Sequence, residues 1–148
     1  MEERKPEEVL GRLLGELLAS CSCFAKGEAA CCGLTLSQGQ TLLEIGSRKA
    51  VTLAVLADAL GVDPSTMSRN VTNLVQRGWI QRREHPADRR FLQIQLTPQG
   101  EAKYRELKEG LTTYFRQVLQ LLPEDDRDQV FRSLELLTKA LFKVKCCR

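Results

Sequence analysis

Apolar residues recur at steps of three and four positions in three long stretches of the chain, which is the spacing of an amphipathic α-helix. The first stretch spans residues 9–24, the second begins at Pro98, and the third follows Pro123. Their apolar positions are Val9, Leu10, Leu13, Leu14, Leu17, Leu18, Cys21 and Phe24; Leu107, Leu111, Tyr114, Val118 and Leu121; and Val130, Leu134, Leu137 and Leu141. Each predicted helix therefore has an apolar face that another surface must cover.

Signals at helix ends predict shorter helices between the first and second long ones. The second helix of the chain begins at Thr35, where Gln38 completes a Thr-x-x-Gln capping box. Gly46 is predicted to end this helix. Thr52 is suited to the N-cap of a third helix.

The sequence GVDPS predicts a tight turn into a fourth helix. Gly61 permits the turn, Asp63 is a good N-cap, and Pro64 has the backbone angle of a first helical residue. Gly78 is predicted to end the helix. Two short helices joined by so short a turn are a candidate helix-turn-helix.

Residues 79–84 and 91–97 predict two β-strands. In the second strand, apolar residues and glutamines alternate through LQIQL, which is the period of a half-buried strand. The letters HPADRR between the strands supply a turn with a charged tip. The pair therefore predicts a β-hairpin, and a fifth helix follows from the cap signal Thr97-Pro98.

Length and composition predict one cytoplasmic domain. The chain has 148 residues, of which 43% are hydrophobic and 28% charged, values that are typical of a globular protein. No apolar run approaches the roughly 20 residues that cross a bilayer, and MEERKPEEV does not resemble a signal peptide. We expect no membrane partner.

The chain also has no recognisable set of catalytic residues. Its one histidine, His85, lies beside a proline in a strongly charged stretch, which favours a solvent- or phosphate-facing side chain over a general base. No phosphate-binding glycine loop, nucleophile elbow or histidine-rich zinc motif is present. We therefore expect a protein that is not an enzyme.

Positive charge is concentrated in one segment. Residues 64–95 contain six arginines and two acidic residues, a net charge of +4, whereas the whole chain has a net charge of +3. Arginine binds phosphate with a forked pair of donors and inserts into narrow minor grooves. A local excess of arginine on a hairpin and the preceding helix is typical of a nucleic-acid interface.

The fourth helix has one apolar and one polar face. The apolar face contains Met67, Val71, Leu74 and Val75, and the polar face contains Ser65, Ser68, Arg69, Thr72 and Gln76. Hydroxyl, amide and guanidinium groups on one helix face are suited to the major groove of DNA, although an ordinary solvated face has the same composition. Trp79 and Phe91 are predicted to pack inward, which leaves no aromatic platform for single strands. Duplex DNA is the favoured partner.

These segments resemble the MarR (multiple antibiotic resistance regulator) family of transcription factors. The resemblance rests on LTLSQGQTLLEI, on LADALGVDPSTMSRNVTNLVQRGWIQR and on the wing ADRRFLQIQLTPQG. It implies a mainly α fold with a small β-hairpin wing, in which a winged helix-turn-helix of residues 34–97 is inserted in a helical dimerisation domain of residues 1–33 and 98–148. It further implies a homodimer that binds a palindromic operator.

The resemblance also assigns roles to single residues. Ser65, Thr66, Ser68 and Arg69 match the contact positions of the recognition helix. Asp88 and Arg90 match the wing pair in which the arginine enters the minor groove and the aspartate orients it. Trp79 replaces the family's usual leucine, and Arg89 is a second candidate for the groove. The DNA-binding residues predicted from face, charge and resemblance are Ser65, Thr66, Ser68, Arg69, Thr72, Arg82, Asp88, Arg89 and Arg90.

Six cysteines suggest a second chemistry: Cys21, Cys23, Cys31, Cys32, Cys146 and Cys147. Permanent disulfides are rare in the cytoplasm. Thiolates without nearby histidines favour a soft metal or metalloid ion, such as Cu(I), Cd(II) or trivalent arsenic, as a cofactor or effector. A reversible redox switch remains open. Cys21 fits the apolar face of the first helix, and the other cysteines could also be without function.

Our leading hypothesis is a dimeric transcriptional regulator, most simply a repressor, that a thiophilic ion or an oxidant releases from DNA. The alternative is a thiol-rich metal-handling or redox-buffering protein that does not act on DNA. A third option is an architectural DNA-binding protein without an effector. The arginine-rich hairpin after a helix-turn-helix favours the regulator, since a thiol buffer has no need of it.

Overall fold

The computed structural model of the chain describes residues 5–24 and 33–144. Within these ranges the chain forms six helices and a small antiparallel sheet. The elements are α1 (Pro6–Phe24), α2 (Leu36–Arg48), β1 (Ala50–Val51), α3 (Leu53–Leu60), α4 (Pro64–Gln76), β2 (Ile80–Glu84), β3 (Leu92–Leu96), α5 (Pro98–Leu121) and α6 (Glu124–Lys143). The mainly helical fold with a β-hairpin, predicted from the sequence, is confirmed.

The capping signals lie where the sequence placed them. Thr35 and Gln38 form both hydrogen bonds of the capping box, each 3.2 Å long. The side chain of Thr52 accepts a hydrogen bond from the third residue of α3, and the side chain of Asp63 accepts one from the third residue of α4. These bonds satisfy backbone N–H groups that have no partner within the helix, so each helix begins at its predicted residue.

The predicted end of α2 at Gly46 is wrong. The helix continues to Arg48 and ends at Lys49, which has a φ of 67°. Gly46 is instead a point of close approach, because a Cβ there would overlap the ring of Tyr104 on α5. The glycine therefore lets two helices pack closely.

The sheet has a third strand that the sequence analysis did not predict. The strand order is β1-β3-β2, with both pairings antiparallel. Ala50 and Val51 of β1 pair with Gln95 and Ile94 of β3. A strand of two residues is too short to show an alternating pattern. It anchors the hairpin to the helices, because Val51 and Ile94 are both buried.

The helix-turn-helix is formed by α3 and α4 as predicted. Gly61 ends α3 in the left-handed conformation with a φ of 60°, where glycine has no steric penalty. Pro64 is the first residue of α4. The inner face of α4 contains buried Met67, Val71 and Leu74, so its polar face remains outside the core.

One apolar core joins α2, α3, α4, the sheet and one residue of α5. Its members are Leu34, Leu42, Ile45, Val51, Leu56, Ala57, Met67, Val71, Leu74, Ile80, Ile94 and Leu107. Two polar side chains are buried with them, Thr41 and Asn70. The Thr41 hydroxyl donates to the carbonyl of Ser37 at 2.7 Å, and the Asn70 amide donates to the Ser37 hydroxyl at 2.6 Å. The Thr41 bond lies within α2, whereas the Asn70 bond joins α4 to α2 and so helps to fix the two helices together.

One packing prediction in the hairpin is wrong. Phe91, expected to face inward, is 58% exposed, whereas Trp79 is half-buried and packs against the core. Leu92 is also exposed, so the alternation of β3 produces burial at Ile94 and partial burial at Leu96. The cause is length, since the far end of the hairpin extends beyond the core.

The long helices bury little of their apolar surface within the chain. No residue of α6 is buried, and in α1 the leucines Leu10, Leu13, Leu17 and Leu18 are exposed. In α5, Gly100 and Leu107 are buried. None of the described helices is long and apolar enough to cross a membrane.

Candidate nucleic-acid interface

The N-terminal turn of α4 is organised by Asp63. Its Oδ1 atom accepts a hydrogen bond from the backbone N–H of Thr66 at 2.9 Å and another from the hydroxyl of Ser65. The hydrogen bonds from Ser65 and Thr66 hold the pKa of Asp63 well below its usual range. The helix therefore begins with a fixed carboxylate, and Ser65 is oriented by it.

The outer face of α4 is polar, as predicted. Ser65, Arg69 and Thr72 are exposed, and Thr66 and Ser68 are half-buried. Arg69 donates from Nη2 to the hydroxyl oxygen of Thr66 at 3.3 Å. The guanidinium of Arg69 is thus held along the outside of the helix, where it can reach a partner.

A hydrogen bond connects the hairpin to α4. Arg82 on β2 donates from Nη2 to the hydroxyl oxygen of Thr72 at 3.1 Å. Arg82 pairs with buried Ile94 in the sheet, whereas the next residue, Arg83, pairs with Gln93. Because side chains alternate along a strand, Arg82 faces α4 and Arg83 faces the opposite side. The exposed face of α4 and the basic strand β2 therefore form one continuous surface.

At the tip of the hairpin, Asp88 holds Arg90. The carboxylate accepts hydrogen bonds from Nε of Arg90 at 3.0 Å, from its Nη2 at 2.8 Å and from its backbone N–H at 3.0 Å. The guanidinium lowers the pKa of Asp88, and the carboxylate raises the pKa of Arg90. The Arg90 side chain remains 86% exposed, so it is oriented without being covered.

Arg89 is held less firmly than Arg90. Its Nε lies 3.6 Å from Oε2 of Glu84, a looser ion pair than the fork on Asp88. Exposed pairs of this kind contribute about 0–1 kcal/mol. Of the two arginines at the tip, the geometry prearranges Arg90.

Two basic residues outside the predicted DNA-binding set contact Trp79. Arg77, at the end of α4, donates to the side chain of Asn73 and lies over the ring of Trp79. On α5, Lys103 lies over the same ring, with Nζ 5.6 Å from its centroid. Arg77 was counted as part of the basic segment, but no local sequence pattern connects Lys103 to Trp79.

The predicted cysteine site lies almost wholly outside the described residues. Cys31, Cys32, Cys146 and Cys147 fall there, as does the side chain of Cys23. Cys21 is described and exposed on α1. Over residues 5–24 and 33–144, no three residues of the metal-binding types are grouped to hold an ion. The metal or redox role of the cysteines therefore stays a prediction.

The fold and this surface define a class of protein. A helix-turn-helix is followed directly by a two-stranded hairpin, and arginine side chains project from both. This arrangement is the winged helix-turn-helix, in which a helix and a wing present basic groups together.

Comparisons with known proteins give the family. A model of the MarR family matches residues 33–90. The transcriptional regulator BilQ of Clostridium symbiosum is 30% identical over 116 residues, which cover 78% of this chain and 81% of BilQ. The transcriptional repressor MprA of Escherichia coli is 33% identical over 107 residues, covering 72% of this chain and 58% of MprA. The chain belongs to the MarR family.

A solved structure extends the likeness over most of the fold. A mutant MarR from Escherichia coli complexed with operator DNA matches with a TM-score of 0.73 and 26% identity, covering 89% of this chain and 92% of that chain. The family and fold predicted from the sequence are therefore confirmed. The relatives are transcriptional regulators, which are not enzymes.

Proposed function

We propose that the protein is a homodimeric repressor of transcription that binds a palindromic operator in duplex DNA. In this proposal α4 is the recognition helix in the major groove, and the β2–β3 hairpin is a wing in the minor groove. Two relatives support it: MprA is described as a transcriptional repressor, and the MarR structure contains operator DNA. Acting on DNA also favours a cytoplasmic location.

The hydrogen bond from Arg82 to Thr72 carries the proposal. It makes the outer face of α4 and the basic strand one surface, so both can meet the same duplex. A helix and a wing that faced different directions could not contact neighbouring grooves. The bond also leaves the remaining donors of Arg82 available for phosphate.

In our proposal α4 reads bases and the wing binds the backbone. Ser65, Thr66, Ser68, Arg69 and Thr72 lie on or beside the outer face of α4, and a recognition helix uses its N-terminal residues on base edges. Arg90, oriented by Asp88, enters the minor groove, where arginine is favoured by the negative potential. Arg89 and Arg82 contact DNA phosphates on either side of the groove that Arg90 enters.

The dimer is proposed from the uncovered apolar faces. Residues 1–33 and 98–148 would form a helical dimerisation domain around the winged unit of residues 34–97. The large apolar side chains that α1, α5 and α6 leave exposed include Leu13, Leu17, Phe115, Leu134 and Leu141. A two-fold interface would cover them and place two recognition helices about 34–36 Å apart, one turn of DNA.

Variants of α4 and the wing test the assignment on an operator selected from random DNA. Arg69→Ala should weaken operator binding by roughly 1–3 kcal/mol and relax its specificity, because a base contact is lost. Arg90→Ala should weaken operator and random DNA alike and lower the salt slope by about two, because each protomer of the dimer loses one phosphate contact. Unchanged operator affinity in Arg90→Ala would remove the wing from the interface.

We further propose that the cysteines make the repressor responsive to a thiophilic ion or an oxidant. Four of the six cysteines lie within residues 21–32, which include the last turn of α1 and the segment that leads to α2. Binding would draw this segment together and change the spacing of the two winged units. Membership in a family of regulators supports a signalling role over the alternative of thiol buffering.

The thiol response has a direct test. Arsenite, Cd(II) and peroxide are added in turn to the operator complex of the wild type and of the double variant Cys31→Ser/Cys32→Ser. Release of the wild type by one reagent, and resistance of the variant, is the expected result. Equal release of the wild type and the double variant would show that Cys31 and Cys32 are not the responsive thiols.

A further inference from the structure

Arg77 connects three parts of the chain at the C-terminal end of α4. Its Nη2 donates to the backbone carbonyl of Gly33 at 2.7 Å, and its Nε donates to Oδ1 of Asn73 at 3.0 Å. Its guanidinium carbon lies 5.2 Å from the centroid of the Trp79 ring. One side chain therefore contacts the segment before α2, the last turns of α4 and the residue before β2.

The Gly33 contact fixes the approach to α2. Gly33 has a φ of 65°, a conformation that glycine adopts without strain. The next residue, Leu34, is buried in the core, and Thr35 is the N-cap of α2. The carbonyl that Arg77 binds thus belongs to a defined stretch of backbone.

The Trp79 contact extends the connection to α5. The carbonyl of Trp79 accepts a hydrogen bond from the N–H of Thr97 at 3.0 Å, and Gly100 lies so close to this carbonyl that a Cβ would overlap it. Lys103 covers the Trp79 ring from α5. Trp79 is therefore one of the contacts between the winged unit and the long helix, beside those of Gly46 with Tyr104 and of Leu107 with the core.

We propose that Arg77 is a positioning residue for DNA binding, which sets the angle of α4 relative to α2 and α5 without itself touching DNA. The inference rests on the proposed function. Arg77 follows the last turn of α4 at its C-terminus, whereas recognition helices contact bases from their N-terminal residues. Both nitrogens that donate hydrogen bonds are already directed at protein acceptors.

The chemistry requires arginine at this position. A guanidinium can donate from two nitrogens in a fixed plane and lie over an aromatic ring at the same time. Lysine keeps the charge but offers one flexible ammonium group. The pair Arg77→Ala and Arg77→Lys therefore separates geometry from charge.

The stability of the fold should change little, because Arg77 is exposed and water can replace it at both acceptors. The orientation of α4 should change more, since three contacts are lost together. We expect both variants to bind the selected operator about three- to tenfold more weakly, a range typical of residues that act through others. Their salt slopes should match that of the wild type.

The experiment compares wild type, Arg77→Ala, Arg77→Lys and a control, Arg105→Ala, which removes one charge from an exposed position on α5. Fluorescence anisotropy with selected operator gives affinity and salt slope, and circular dichroism gives the unfolding temperature. Trp79 is the single tryptophan of the chain, so its fluorescence emission reports the contact with Arg77 in the absence of DNA. We expect altered emission and weaker binding in both Arg77 variants, with the control close to wild type.

Three results would overturn the inference. If Arg77→Ala bound the operator with wild-type affinity, the contacts of Arg77 would have no effect on DNA binding. A salt slope lower by about two in Arg77→Ala, one for each protomer, and restored by Arg77→Lys, would make Arg77 a phosphate contact. Unfolding of the variants at the assay temperature would make it a stability residue. If the wild type itself does not bind DNA, the proposed function fails instead.

Discussion

The winged unit and the long helices around it differ in how much of their apolar side chains they bury. In α2–β3 nine large apolar residues are buried in one core, with Leu42, Ile45 and Leu56 fully covered, and four others, among them Phe91 and Leu92, are exposed. In α1 and α6 none of those that the structure describes is buried and most are exposed, as in Leu18, which is 69% accessible. The winged unit is therefore stabilised by its own residues, whereas the outer helices need another surface, which we propose is a second copy of the chain.

The same substitution in the two regions should have the largest contrasting effect. Leu56→Ala removes a fully buried side chain from the core and should lower the free energy of unfolding by about 2–5 kcal/mol. Leu18→Ala should act only through association, so its effect should vary with protein concentration. Urea unfolding at two concentrations measures both, and a concentration-independent loss in Leu18→Ala would contradict the comparison.

A charge on the outer helices should break the dimer. Leu17→Asp places a carboxylate in the apolar face of α1, and we expect dimer affinity to fall by about a hundredfold, as for loss of a central interface contact. Sedimentation at micromolar concentration measures the change. The control Arg12→Gln, on the same helix, lowers the net charge by the same amount and should leave the dimer intact. A wild-type protein that sediments as a monomer would contradict the proposed dimer.

Two helical glycines give a sharper comparison. A Cβ at Gly100 would overlap the backbone of Trp79, so Gly100→Ala should destabilise the protein by about 1–3 kcal/mol. Gly11 on α1 has no atom within 4 Å of an added Cβ, and Gly11→Ala should stabilise by about 0.5–1 kcal/mol. Thermal unfolding compares them, and equal shifts would mean that the junction at Trp79 is not tightly packed.

The smallest effect should come from the wing pair. Asp88→Asn raises the net charge, which alone would strengthen DNA binding, but it removes the fork that orients Arg90. We expect operator affinity to fall about two- to fivefold, within the range of exposed ion pairs. Glu84→Gln makes the same charge change nearby and should not weaken binding. Tighter binding by Asp88→Asn would show that orientation of Arg90 is unimportant.

Local sequence predicted where α2, α3, α4 and α5 begin, because each of these starts depends on neighbouring residues. Thr35, Thr52, Asp63 and Thr97 cap helices through bonds to residues three positions later. Gly46 was misinterpreted because the reason for it lies on α5, at Tyr104. Contacts between distant elements leave no local pattern.

The site was predictable in composition but not in arrangement. The helical period placed Arg69 and Thr72 on the outer face of α4, and the charge excess identified the hairpin. The separation of Arg82 from Arg83 required the register of the sheet, and the proposed role of Arg77 required its contact with Gly33, 44 positions away in the sequence. The cysteine hypothesis depends on residues outside the described ranges and stays a prediction.

The salt dependence of wild-type binding to random duplex DNA tests the central claim most directly. If Arg82, Arg89 and Arg90 of both protomers contact phosphates, the plot of log affinity against log salt should have a slope of about −5. A steep slope near this value is the result that we predict. A slope shallower than about −1, or no measurable binding at low salt, would contradict the account and favour a thiol-rich protein that does not act on DNA.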